Sequence, residues 1–514
     1  MSADLVRSFL NDFEQITRHE AAAVALFDEN GRALTYRQLD RESDRMLSFL
    51  HQVGLGRGDT VVSLMPNSLE AFLLFLACLK DGLRYAPLPC TATAAEVETV
   101  SAMTSAAIVL VAEPVSQLLD RTIEPKVRCL HRIAIGGSLD WLPERLTRER
   151  CGVGQLIITT SGSVGAAKSI VIDGDRLWSA GAAFVRHYGI DRRAPRFWNY
   201  LPMSYLGGLF NLGLIPLAAS GSALISDTFS GKTFLSFWQM VARYEVNALW
   251  MVPAIMRGLV ALAERTNKPQ RKHGVSTCLL GTAPISLLEK ERFRQLFDLE
   301  ALENYGLSET TFLTAETSAD LTHRTDGSVG AVLPYVTLRL VPPAGLEDGG
   351  DQPGALEIAV DSPFLMLGYL RRDGSIDPSR DPDGFFRTGD LGKIDHDQLV
   401  LTGRTRDIIK KGGYLVLLDE IEKLAESHPE VLEAAAVPCQ HSFYGESFNL
   451  FLLLRSGHSP NEYFVPRFGS WLQERLVRHK WPDQVIVRQD FPRTSSGKVR
   501  KGDLRAANPA RSYA

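Results

Sequence analysis

The stretch GDTVVSLMPNSLEAFLLFLACLKDGLRYAPL, residues 58–88, constrains the fold more than any other in the chain. It reads as a short β-branched strand, a turn through Pro66, Asn67 and Ser68, an apolar helix, then Gly82 and a second strand. Strands joined by a helix run parallel, and a parallel sheet needs helices over its faces. The same alternation returns in AAIVLVAE, VNALWMVPAIMRGLVALAE and VSTCLLGTAPISLLEKERF. Ahead of them, Thr35 and Gln38 stand at capping-box spacing and predict a helix start. From about Gly327 the strands shorten and Gly/Pro turns separate them; the last segment mixes helix and strand again. The expectation is an α/β chain with a large N-terminal domain, residues 1–402, of mostly parallel sheets under helices plus a small β subdomain. A small mobile α+β C-terminal domain, residues 403–514, follows it.

Composition narrows the function classes. A chain of 514 residues exceeds one ordinary core. Its net charge of −4 and lack of a basic block speak against nucleic-acid binding. Six scattered cysteines without a C-x-x-C pair give neither a zinc site nor a disulfide framework, and fit a reducing, cytoplasmic setting. The opening residues interleave acids and arginines, so no signal peptide is expected. The apolar run between Asn211 and Ser226 is shorter than the ~20 residues of a membrane span and contains Pro216, so it is expected in the core.

Residues 159–172, TTSGSVGAAKSIVI, look like a phosphate-binding loop in which Ala167 replaces the second glycine. Thr160, Ser161 and Ser163 supply hydroxyls, Gly162 and Gly165 let backbone N–H groups approach an anion, and Lys168 adds a positive charge. Alone, the stretch is a weak signal that a solvated strand-to-strand turn would also give. Five others join it: LPMSYLGGL (201–209), NYGLSET (304–310), FRTGDLG (386–392, with Asp390 on a turn), GRTRDIIKKGGYLV (403–416) and PRTSSGKVRK (492–501). Each by itself reads as a capped turn or a solvated charge run.

In this order, from about Leu34 to Arg505, the segments resemble the motifs of the ANL superfamily of adenylate-forming enzymes. These are the acyl- and aryl-CoA ligases, peptide-synthetase adenylation domains and beetle luciferases. Departures are Val164, Ala167 and Ser169 in the phosphate loop, Ser308 for a threonine, Tyr205 for a histidine, and Arg406 at a hinge usually Asp or Lys. The resemblance implies attack of a carboxylate on the α-phosphorus of ATP, release of pyrophosphate, and displacement of AMP by a second nucleophile.

It also implies roles. The 160–168 loop holds the β- and γ-phosphates, Ser308 the α-phosphate, and Glu309 a Mg²⁺ ion. Tyr305 packs on adenine, Asp390 accepts from both ribose hydroxyls, and Arg404 supports the ribose from the small domain. Lys498 bridges carboxylate and α-phosphate; Gly281, Thr282 and Ala283 line the adenine and acyl channel. Tyr205, Gly207 and Gly208 fall at the acyl pocket, with no acid between them and Asp227 to pair with an amino group. The acid is therefore expected to be apolar and not an amino acid, with the glycines either making room or serving close packing. The leading acceptor is the CoA thiol, with Arg406 as pivot and Gly412-Gly413 lining the thiol's path. The rival is an amide-forming ligase resembling the coronafacate ligases, to which Arg406 and Leu418 lend support. A non-catalytic nucleotide-binding protein is the third reading.

Overall fold

Strand Thr60–Leu64, helix Leu69–Lys80 and strand Arg84–Leu88 form the parallel unit foreseen for residues 58–88, with Val61 opposite Tyr85. The Ser68 side chain caps the helix by accepting from the Ala71 N–H, and every helix residue is buried. A helix apolar all round can sit only inside a core. It ends on Lys80, whose buried ammonium donates to Asp40, Asp44 and Ser43. The capping box at Thr35 and Gln38 opens helix Tyr36–Gln52.

The computed structural model describes residues 5–113, 130–145, 150, 152–160, 168–190, 194–283, 285–343, 356–411, 414–441, 443–455, 463–493 and 499–506. Among these residues three sheets form, of thirteen, eight and five strands. The centre of the largest is parallel and runs, in spatial order, Leu302–Leu307, Thr277–Leu280, Ala248–Met251, Arg196–Asn199, Ser222–Ile225 and Val24–Asp28. Beyond Leu302–Leu307 it continues in antiparallel strands, the β-rich texture expected after Gly327. The eight-stranded sheet holds the parallel unit and the antiparallel pair Gln155–Thr160 and Lys168–Asp173. The five-stranded sheet spans Ile408 to Arg488.

One hydrophobic cluster extends from Phe9 to Leu399 and a second from Ile409 to Leu476, so the two main cores part between Leu399 and Ile409. The fold is mixed α/β with a large N-terminal and a smaller C-terminal part. Among the described residues no helix is long and apolar enough to cross a membrane. The run after Asn211 is buried, as expected.

Three expectations need correction. FRTGDLG is not a turn but part of strand Phe386–Asp395, bent at Gly389 with φ of 75°. Strand Gln398–Arg404 pairs with it, Arg404 opposite Asp390, so Arg404 belongs to the large sheet and not to the smaller part. GGLFNLGL, residues 207–214, forms a π-helix that leads into helix Ile215–Ala218. A π-helix of that length is unusual, and such turns recur at functional sites.

Candidate active site

Asp390 is the best-defined member of the site. The antiparallel register sets it opposite Arg404, whose Nε lies 3.0 Å from Oδ1. Tyr305, on the buried strand Leu302–Leu307, donates its hydroxyl to Oδ2 at 2.8 Å. Burial first, and then the Asp390 carboxylate, hold the Tyr305 phenol well above its usual pKa, so it stays a donor. An ionised carboxylate offers about four lone-pair positions, so this pairing leaves one per oxygen for a vicinal diol. Tyr305 thus holds the Asp390 carboxylate directly, a contact that sequence reasoning did not foresee.

Ser308 and Glu309 follow in the turn between Leu302–Leu307 and Thr311–Ala315. The Ser308 and Tyr205 hydroxyls are hydrogen-bonded; burial, then the Glu309 charge, raises the Tyr205 pKa. Tyr369 donates to Glu309 Oε1 at 2.9 Å, and the Lys168 ammonium sits 4.6 Å from the centre of the Tyr369 ring. Tyr369 therefore joins the phosphate-loop lysine to the proposed metal carboxylate. Its strand, Gly368–Leu370, pairs with Lys168–Asp173, Tyr369 opposite Ile170. The only sequence signal was a Gly-Tyr pair closing the run FLMLGYL.

The Mg²⁺ expectation fits this donor set. Among the described residues no group of three or more His, Cys, Asp or Glu could cage a metal. Glu309 binds Tyr369 through Oε1, and Mg²⁺ in nucleotide sites takes one or two carboxylates with phosphate and water oxygens.

Gly281 is buried against Asn304: a Cβ there would lie 3.0 Å from Asn304 Oδ1, while Asn304 Nδ2 donates to the Leu280 carbonyl at 2.9 Å. Thr282, half-buried beside half-buried Ala283, holds φ at 82°, and Thr311 holds 56°. Positive φ in a β-branched residue is strained and recurs at ligand-holding segments. The two pocket glycines separate. A Cβ on Gly208 would lie 2.4 Å from the Pro202 carbonyl oxygen, so Gly208 serves close chain packing and does not make room for an acid. Gly207 is buried next to the Tyr205 ring and Leu201.

Thr160 pairs with Lys168 across the mouth of the phosphate loop. The Thr160 side chain and Ser161, Gly162, Ser163, Gly165, Gly412, Gly413 and Lys498 lie outside the described residues. What flanks Lys498 is described. Arg493 and Val499 form a β-bridge, and Lys501 binds Glu422 at 2.8 Å and Asp407 at 3.3 Å. Asp407 stands three residues after Arg404 in the sequence. Arg406, in the short turn Thr405–Asp407, falls where the two main cores part.

Residues 13–370 match the AMP-binding enzyme family and residues 420–498 the AMP-binding enzyme C-terminal domain. The peroxisomal OPC-8:0-CoA ligase 1 of Arabidopsis thaliana is 26% identical over 502 residues, covering 94% of this chain and 90% of the relative. ATP-bound MatB from Rhodopseudomonas palustris superposes with a TM-score of 0.82 at 25% identity, covering 97% of this chain and 98% of that one. The amide bond synthetase McbA from Marinactinospora thermotolerans gives 0.81 at 23% identity over 97% and 99%, a likeness of fold. The family match and this fold define an ATP-dependent adenylate-forming ligase, and Asp390, Tyr305, Ser308 and Glu309 form its candidate site. The chain belongs to the AMP-binding enzyme family, within the ANL superfamily.

Proposed function

We propose that this ligase adenylates an apolar carboxylic acid without an α-amino group and passes the acyl group to the CoA thiol. The observation that carries the first half is the convergence of Asp390, Tyr305 and Arg404 on one side, and Ser308, Glu309, Tyr369 and Lys168 on the other, around strand Leu302–Leu307.

Asp390 takes the ribose diol, held in place by Tyr305 and Arg404; the Tyr305 ring borders the adenine. The Ser308 hydroxyl, fixed by Tyr205, binds the α-phosphate, while Lys168 and the loop before it hold the β- and γ-phosphates. Glu309 would hold Mg²⁺, which supplies charge neutralisation on the phosphates when bound. Positioning and charge stabilisation are what phosphoryl-type transfer asks of a protein. No acid stands between Tyr205 and Asp227, and the π-helix there is buried and apolar, so an ammonium group finds no partner. Thioester formation is supported by the relative that carries CoA ligase in its name. The amide-forming alternative is supported by the shared fold of McbA, by Arg406 in the connecting turn and by Leu418 at the start of helix Leu418–Glu426.

The chain after the turn at Arg406 acts as a mobile unit in this proposal, turning about Arg406 between the half-reactions, with Lys498 inside the site only for adenylation. Lys498→Ala should slow acid-dependent pyrophosphate release by ~10²-fold or more, the scale of one positioned charge, and leave acyl transfer from supplied acyl-adenylate nearly untouched. An amide ligase with one closed arrangement would slow in both steps. A variant that releases pyrophosphate at the parent rate removes Lys498 from the chemistry. Mass analysis of the acylated product, with CoA or amino acids supplied, identifies the acceptor.

A further inference from the structure

Lys290, Glu303, Glu316 and Arg324 form a charged cluster inside the large part, their side chains 5%, 5%, 0% and 7% exposed, too little for water to screen them. Lys290 Nζ lies 2.5 Å from Glu303 Oε2 and donates to Glu316 Oε1 at 3.1 Å. Arg324 donates to both Glu316 oxygens, at 3.1 and 2.9 Å, and to the Ala301 carbonyl at 2.8 Å. Glu316 Oε2 also accepts from the Glu303 backbone N–H at 2.7 Å, and the Glu303 carbonyl accepts from the Glu316 N–H at 2.7 Å. Half-buried Glu300 pairs with Arg324 at 3.2 Å. A buried ion pair is a weak source of stability, since well-packed apolar side chains of similar volume often do as well. Its directional bonds do supply a fixed geometry.

That geometry belongs to the nucleotide site. Leu280, the last residue of strand Thr277–Leu280, stands opposite Glu303. The chain leaves the sheet there through Gly281, Thr282 and Ala283 and enters helix Leu287–Phe297, which the Ser286–Glu289 capping box opens. Lys290, the next residue of that helix, comes back onto Glu303. Glu303 thus fastens both ends of the excursion, one by strand register and the other by an ion pair. Between them Gly281 packs on Asn304, the residue between Glu303 and Tyr305, and Thr282 holds φ at 82°. A β-branched residue keeps such a backbone only where its surroundings hold it there. Glu316 directly follows strand Thr311–Ala315, so the cluster also clamps the hairpin whose turn carries Ser308 and Glu309.

We propose that Lys290 is a positioning residue for adenylation: by binding Glu303 and Glu316 it fixes the Gly281–Ala283 segment against the strand that carries Tyr305, and so sets the width of the adenosine site. The proposal rests on the adenylating reading above and adds to it a residue outside every motif of the sequence. Lys290 acts through Glu303 and touches no substrate. Without it the two walls keep only their strand pairing, and the adenosine part of the nucleotide loses its fit before the phosphates do.

The test compares the full chain with Lys290→Met, which keeps the length and removes the charge. A second variant, Lys290→Met/Glu303→Gln, leaves no carboxylate without a partner cation. Calorimetry measures binding of ATP, AMP and pyrophosphate, each with Mg²⁺. ATP–pyrophosphate exchange with benzoic, phenylacetic and octanoic acids gives kcat and the KM values of ATP and acid, and urea midpoints give stability. In the double variant the midpoint should stay near the parent's, because neutralising a buried pair is often neutral in stability. ATP and AMP should nevertheless bind roughly tenfold or more weakly, both by the same factor, the scale of a small misplacement of a site wall. Pyrophosphate binding and the KM of the acid should match the parent's. Parent affinities for ATP and AMP in either folded variant overturn the proposal. So does a loss confined to ATP, which places the effect at the phosphates, or an equal loss for every ligand, which marks general loosening. If neither variant folds, Lys290 is a structural group and the proposal falls. A parent chain that binds ATP but exchanges pyrophosphate with none of the acids sinks the apolar-acid reading, and calorimetry then decides Lys290 by itself. A parent chain that binds no ATP removes both.

Discussion

Tyr369 shows how a single side chain ties a cation to a carboxylate. Its ring lies under the Lys168 ammonium and its O–H holds Glu309 Oε1, so one side chain sets the spacing of a cation and a carboxylate. Hydrogen bonds to a charged group contribute roughly 1.5–3 kcal/mol. Tyr369→Phe retains the ring and removes that bond. It should raise the magnesium concentration for half-maximal pyrophosphate release about tenfold or more, in line with that energy. The urea midpoint should move little, because Tyr369 is only half-buried. An unchanged magnesium titration would detach Tyr369 from the metal carboxylate. Lys168, Glu309, Asp390 and Arg404 were singled out in the sequence only through the order of the six motifs, since each stretch by itself reads as a turn or a charge run. Tyr369 was not: its partner Glu309 lies 60 residues away, and only pairing of Gly368–Leu370 with Lys168–Asp173 brings them together.

At the scale of elements, the π-helix at 207–214 is where sequence and structure part furthest. GGLFNLGL carries no period that separates π from α geometry; tight packing around it does. Gly208 meets the Pro202 and Leu201 carbonyls, and a Cβ on Gly213 would lie 2.4 Å from the Phe72 ring. Gly208→Ala places a methyl against backbone oxygen, which cannot rotate away. The expected cost is ~1–3 kcal/mol of stability, typical of overpacking, read as a lower urea midpoint. Adenylate formation should fall with it, since Asn199 and Tyr205 are tied to this turn through the Gly208 carbonyl and the chain itself. A variant as stable as the parent would return Gly208 to the pocket wall. The parallel unit at 58–88 behaved differently, because its strand and helix signals are strong and close in sequence.

For the whole molecule, buried Glu303 and half-buried Glu422 set a pH dependence. Burial, the largest cause in each case, raises Glu303 to about 7 and Glu422 to about 8, against an ordinary 4.5. Glu303 lies in a buried network with Lys290 and Glu316 behind the strand that carries Tyr305. Glu422 belongs to helix Leu418–Glu426 of the smaller part. Over this window the folded chain keeps protons that the unfolded chain has released, so stability is fully present below about pH 4.5 and is lost as pH rises through these values. The urea midpoint should therefore be lower at about pH 8.5 than at about pH 6, and Glu422→Gln, neutral throughout, should flatten the slope. A midpoint flat or rising with pH would contradict these assignments.

The sequence by itself determined the parallel α/β class, the capped helices and the family. The first two rest on residues within a turn or one strand–helix unit of one another, where spacing alone carries the physics; the third rests on the order of six motifs along the chain. Tertiary structure alone decided that Arg404 lies on the large sheet, that Tyr305 and Arg404 share the Asp390 carboxylate, and that Tyr369 joins Lys168 to Glu309. Those facts depend on register between strands far apart in the chain, and register follows from how whole faces bury, which no local pattern encodes.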